Sequence, residues 1–213
     1  MEKISQLLEN NAQWREEIEV TNPGIFDRTA NQQSPEILWI GCADSRVPPN
    51  QITGLAPGEI FVHRNSANLV VHSDLNCLAV IQYAVQVLKV THIVVCGHYG
   101  CGGVKAALSN GVYGLIDNWL AHIKDVYRSN EKQISDQDSD QEKWDLFCEL
   151  NVMAQVANVC QTTIVQGAWD SGQPLSVHGL IYNVADGQLK DLHLSVSSKE
   201  ELGKFDQLEN QAD

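Results

Sequence analysis

Ile37-Leu38-Trp39-Ile40-Gly41 and Ile93-Val94-Val95-Cys96-Gly97 are short apolar runs, and each gives way at once to residues that carry chemistry. Cys42-Ala43-Asp44-Ser45-Arg46 follows the first, and His98-Tyr99-Gly100-Cys101 follows the second. Runs of this length read as strands covered on both faces, as in parallel sheets. In open α/β folds, ligands collect where such strands end. Two thiols, an imidazole and a carboxylate delivered there form the donor set that Zn²⁺ prefers. A zinc site at Cys42, His98 and Cys101, with Asp44 at or beside its fourth position, is the first expectation.

Working outward, residues 3–19 place Ile4, Leu7, Leu8, Ala12 and Trp14 near helical spacing, which predicts an amphipathic N-terminal helix. Pro48-Pro49 should block a regular strand or helix interior and hold the Cys42–Arg46 loop extended. Residues 59–64 read as a strand, and residues 73–88 as a helix capped by Ser73 or Asp74. Its apolar face is expected to be Leu75, Leu78, Ile81, Val85 and Leu88. Glycines after Cys101 should turn the chain into a short helix at 104–108. Residues 115–128 and 142–169 read as helices. The strands 175–184 and 189–196 are joined through Asp186-Gly187, a hairpin signal. The alternation predicts an α/β fold, a mainly parallel central sheet flanked by helices with an antiparallel edge strand. It reads as one domain over 1–213, with a helical arm at 1–30 and an acidic tail at 197–213.

The chain of 213 residues carries 27 acids against 14 bases, a net charge of −13. Such a surface repels nucleic acid and anionic membrane, so neither is expected as a partner. The excess acid lies in 131–145 and from Lys199 onward, and both read as solvated segments. No apolar run approaches a membrane span, and Met1-Glu2-Lys3-Ile4-Ser5 does not resemble a signal peptide, which predicts a cytoplasmic protein. Six cysteines in that setting argue against a disulfide framework. Cys77, Cys96, Cys148 and Cys160 fall within apolar or helical periodicity and read as core, whereas Cys42 and Cys101 sit among Gly, Asp, Ser and Arg.

The fourth position decides what the zinc is for. If Asp44 ligates directly, the tetrahedron is closed and structural. If Arg46 holds Asp44 away through its planar fork, the position opens to water, whose pKa on catalytic zinc falls toward ~7. Structural zinc sites use close cysteine pairs in small domains, which favours catalysis here.

The two motifs, Cys42-Ala43-Asp44-Ser45-Arg46 and His98-x-x-Cys101-Gly102-Gly103, resemble the signature of the β-class carbonic anhydrases. Phe61-Val62-His63-Arg64-Asn65, Ser66-Ala67-Asn68, Asp74–Cys77, Ile81–Ala84, Asn118-Trp119-Leu120 and Asn151-Val152 extend the likeness over most of 39–191. The resemblance implies reversible hydration of CO₂ to bicarbonate by zinc-bound hydroxide, with one Zn²⁺ per chain on Cys42, His98 and Cys101. It implies Asp44 and Arg46 as the catalytic dyad, with Asp44 ligating the metal only in a closed form. Gln33, contributed by a partner subunit, Phe61, Tyr83 and the Gly102 amide would line the substrate site of a homodimer or a dimer-of-dimers tetramer. Ser66 stands where the family pattern has Val or Ile, and its hydroxyl would wet that slot.

Trp39, Arg64 and Tyr182 match the residues with which a bacterial branch of the family binds bicarbonate away from the metal. That match implies an allosteric switch in which bicarbonate favours the closed zinc and high pH the open one. Other functions for the same residues are a non-catalytic bicarbonate sensor with closed zinc, or a hydrolase of CS₂ or COS.

Overall fold

The structure, a computed structural model, describes residues 2–109 and 111–203. The chain divides into two compact units, Met1–Ser34 and Pro35–Asp213. In the first, α1 (Glu2–Thr21) turns into α2 (Ile25–Asn31) at Gly24, whose φ of 73° is left-handed and suits glycine. Gly24 N–H donates to Glu19 Oε1 at 2.8 Å, and Trp14 meets Phe26 edge to face with centroids 6.0 Å apart. Every residue of α1 lacks burial, and Ile4, Leu7 and Leu8 are exposed.

The second unit holds a five-stranded sheet of order β2-β1-β3-β4-β5, made of β1 (Ile37–Cys42), β2 (Ile60–Asn65), β3 (His92–His98), β4 (Ser176–Asn183) and β5 (Gln188–Val196). All neighbouring pairs are parallel except β4–β5. Because β2 lies on one side of β1 and β3 on the other, connections leave the carboxyl ends of β1 and β3 in opposite directions. That opens a crevice between Cys42 and His98, the place where such sheets bind ligands.

On one face of the sheet, Leu38, Ile40, Ile93 and Val95 pack against Ile81, Val85, Val152 and Val156. On the other, Trp39, Ile60, Val94 and Cys96 form a smaller cluster. The former contacts belong to α4 (Leu75–Gln82), which a wider π turn over Tyr83–Leu88 prolongs, and to α8 (Asp140–Gln161). Asp74 caps α4, accepting from Asn76 N–H at 3.0 Å. Its buried residues are Cys77 and Ile81, continued by Ala84 and Val85. Leu75, expected on that face, is 78 % exposed, because two residues along a helix from Cys77 is a rotation of about 200°.

Pro49 stands in no helix interior: it opens α3 (Pro49–Thr53) at the first position, where a missing N–H costs nothing. Two other expectations change. The acidic stretch 131–145 is mostly helical rather than a loop: α6 (Ile116–Ser129) leads into α7 (Glu131–Ser135), which buries Ile134, and α8 follows after a turn at 136–139. Ser139 begins α8 with a reciprocal cap, accepting from Glu142 N–H at 3.2 Å and donating to its carboxylate at 2.7 Å. The long helix expected over 142–169 is broken at Thr162, whose hydroxyl donates to Val159 C=O at 2.7 Å and caps α9 (Thr163–Asp170). At the start of the acidic tail, Leu202 is buried and Lys199 pairs with Asp170; residues 204–213 of that tail lie outside the described residues. All six cysteines are buried. Among the described residues, no helix is long and apolar enough to cross a membrane.

Candidate metal centre

Cys42 ends β1, His98 ends β3, and Cys101 sits just before α5 (Gly102–Leu108), so one crevice receives all three. Their ligand atoms lie within 4.8 Å of one another, and the two Sγ atoms are 4.0 Å apart. A tetrahedral ion with Zn–S of ~2.3 Å has an S···S edge of about 3.8 Å. His98 Nδ1 lies 3.0 Å from Tyr99 C=O, and a carbonyl only accepts, so Nδ1 carries the proton. The lone pair is then on Nε2, which is buried with no hydrogen-bond partner. An orphaned imidazole nitrogen beside two thiols is costly unless a cation completes it, and the donor set suits zinc.

The thiols divide by environment. The Cys101 thiol donates toward Cys42, and this, with His98 nearby, lowers the Cys42 pKa against the opposing effect of burial; Cys101 is raised in turn. A divalent cation between the two sulfurs would be held by both as thiolates. Cys77 and Cys148, by contrast, are pushed up to about 12 by burial, as core thiols should be.

Asp44 is held by Arg46. The guanidinium donates from Nε to Oδ1 at 2.9 Å and from Nη2 to Oδ2 at 2.7 Å, and the Arg46 amide adds a third bond to Oδ1 at 2.9 Å. This fork keeps the carboxyl well below the usual carboxylate range. Asp44 Oδ2 nevertheless lies only 3.8 Å from His98 Nε2, at the rim of the cluster. Arg46 also reaches Gly100 C=O at 3.3 Å, tying the two motifs together.

The other expected residues are distributed as follows. Gly102 opens α5, where first-turn N–H groups have no partner within the helix. Trp39 and Tyr182 share the smaller apolar cluster, and Trp39 Nε1 is buried and unpaired. Arg64, beside Gly41 in the sheet, donates from Nε to Cys42 C=O at 2.8 Å and from Nη2 to Asp44 C=O, so it staples the loop between them. Phe61 and Tyr83 stack on each other at 5.8 Å, but Phe61 pairs with Leu38, four residues (about 13 Å) before Cys42. Within one chain they do not join the cluster. Gln33 belongs to the N-terminal unit and is exposed.

Several supports escaped the sequence reading. Trp144 Nε1 donates to Cys101 C=O at 3.1 Å, with Lys105 Nζ 4.4 Å from the centre of its ring. Trp144 lies in the segment expected to be helical, but nothing in its spacing shows that its indole reaches back to Cys101. Trp119 Nε1 donates to Ser66 C=O at 2.8 Å and Asn151 Nδ2 to Ala67 C=O at 3.0 Å. These bonds hold the Ser66–Asn68 turn, where Ala67 and Asn68 have φ of 64° and 50°.

The carbonic anhydrase family model matches residues 37–189. A carbonic anhydrase of Emericella nidulans is 47% identical over 190 residues, 89% of this chain and 83% of the relative. The Coccomyxa β-carbonic anhydrase, solved in complex with acetazolamide, superposes with a TM-score of 0.91 at 44% identity, covering 94% of this chain and 91% of that one. A tetrameric β-carbonic anhydrase of Sordaria macrospora gives 0.87 at 38% identity, with coverage of 92% and 100%. With its sheet order, its two-thiol, one-imidazole cluster and these likenesses, the chain belongs to the β-carbonic anhydrases.

Proposed function

We propose that this chain hydrates CO₂ reversibly to bicarbonate and a proton, with one zinc ion per chain held by Cys42, His98 and Cys101. When bound, zinc supplies a Lewis acid that brings the pKa of a water toward ~7. The observation that carries the reading is the unpartnered His98 Nε2 between two thiols, with Asp44 beside it locked by Arg46. Ionised and held at the rim, Asp44 accepts a hydrogen bond from the attacking water or hydroxide and fixes its orientation. A free N–H at Gly102 donates to the oxygen on which charge develops. A site with closed zinc has no use for the Asp44–Arg46 fork, which favours catalysis over a sensor.

CO₂ is small and apolar and needs a slot with few polar groups. Phe61 and Tyr83 supply such surface, and we read them, with Gln33, as completing the site of a neighbouring copy in a homodimer or dimer of dimers. The thiols of Cys42, Cys77, Cys96, Cys101 and Cys148 favour a reducing compartment, in keeping with a cytoplasmic protein.

The finer reading is bicarbonate control, with this chain in the branch that binds bicarbonate away from the metal. Trp39 Nε1, buried and unpaired, shares a face of the sheet with Arg64 and Tyr182. Bicarbonate drawing on Arg64 competes with the carbonyls of Cys42 and Asp44 that it now holds, which loosens Asp44 toward the closed arrangement. CO₂ hydration measured with and without added bicarbonate, in the wild type and Trp39→Ala, tests it. Inhibition lost in Trp39→Ala is expected. Equal inhibition in both removes the control and leaves the hydration reading standing.

A further inference from the structure

At the end of β3 opposite His98, two imidazoles meet. His92 Nδ1 lies 3.0 Å from His178 Nε2, with ring centroids 5.2 Å apart. His92 begins β3 and His98 ends it, so the pair is about 20 Å along the strand from the metal centre at ~3.3 Å per residue. The two residues stand on adjacent parallel strands, where Val94 is opposite His178. The placement is therefore set by the sheet rather than by a loop.

We propose that His92 and His178 bind a divalent transition-metal ion of the Ni²⁺, Cu²⁺ or Zn²⁺ class, at a site separate from the cysteine-containing centre. Two nitrogens each ~2.0–2.1 Å from one ion stand about 2.9 Å apart at a right angle and about 3.4 Å apart at a tetrahedral one, and the observed gap falls in that range. His178 Nδ1 lies 2.8 Å from Ser195 Oγ on β5. With Nδ1–H given to that hydroxyl, the Nε2 lone pair faces His92, the kind of outer hydrogen bond that orients metal-binding histidines. Asp191, on the same face beside Leu180, is close enough to act electrostatically on His178, and its negative charge favours a cation there. It lies next to the bulge where the β4–β5 register shifts between Gly179 and Leu180 and His193 takes a φ of 56°. His92 is exposed, so an ion has an entry path. Imidazole donors without thiolates select Ni²⁺ and Cu²⁺ over the softer preference of the cysteine centre.

The test is calorimetric titration of the zinc-loaded protein with Ni²⁺, which does not oxidise thiols. The wild type, His92→Ala, His178→Ala, the double variant and His122→Ala as a control are compared, with zinc content and circular dichroism recorded on each. The expected result is one Ni²⁺ per chain beyond the zinc. Affinity falls at least ~10-fold in either single variant, no further in the double, and not at all in His122→Ala. Should a histidine-to-alanine variant misfold, His92→Gln and His178→Gln keep the shape and remove the imidazole. No uptake by the wild type, or equal uptake by all variants, reduces the pair to a His–His hydrogen bond and overturns the proposal.

Discussion

At the scale of single residues, the account depends on which atoms have partners and which do not. Cys42→Ser and Cys101→Ser each leave one soft donor and a buried hydroxyl where a sulfur stood. Zinc affinity is expected to fall beyond the ~10–100-fold that loss of an outer hydrogen-bond partner costs, as measured by metal analysis after dialysis against a weak chelator. Full zinc content in either variant contradicts the ligand assignment. The Asp44–Arg46 fork makes a separate prediction. Asp44 is held below its ordinary pKa of 3.8, so its contribution to stability is present above that value and lost as pH falls through the folded-state one. The gap in urea midpoint between wild type and Arg46→Ala should therefore be constant above about pH 5 and shrink below about pH 4. A gap that widens on acidification would show that the contact is not ionic.

Elements carry the ligands to each other, and here the packing is tight. A Cβ built on Gly97 would stand 2.5 Å from Val152 Cγ2, where β3 meets α8. Gly97→Ala is expected to cost about 1–3 kcal/mol in urea unfolding, from overpacking. An unchanged midpoint would mean that α8 is not seated on β3 as described. Trp144→Phe keeps the ring and removes the bond to Cys101 C=O; it should weaken zinc binding ~10–100-fold with little change in unfolding. Unaltered zinc affinity would make that bond incidental. The strands were legible because a continuous apolar run ending in Gly leaves few alternatives, and so were Cys42, Asp44, Arg46, His98 and Cys101, which stand at their ends. Hidden were features decided between elements. Thr162 breaks a helix through its own hydroxyl, and 131–145 folds because Ile134 finds a core that its acidic neighbours do not announce.

For the whole molecule, topology explains why two motifs far apart in sequence form one site. Their strands are neighbours with connections leading opposite ways, so the crevice follows from the order β2-β1-β3. Of the residues the resemblance assigns to the substrate pocket, Phe61 and Tyr83 sit along the sheet from the cluster, and Gln33, expected from a partner subunit, belongs to the N-terminal unit. No spacing rule places Phe61 and Tyr83 away from the cluster, since a motif records which residues recur together and not how far along a strand they stand. The measurement that tests the central claim most directly is stopped-flow CO₂ hydration across pH, with zinc content determined on the same samples of wild type and Asp44→Asn. The account predicts hydration that scales with zinc in the wild type. It also predicts full zinc but a loss of ~10²-fold or more in Asp44→Asn, the order of cost when the group that positions the attacking atom is lost. Wild-type rates in zinc-replete Asp44→Asn, or no hydration by zinc-replete wild type at any pH, would contradict it.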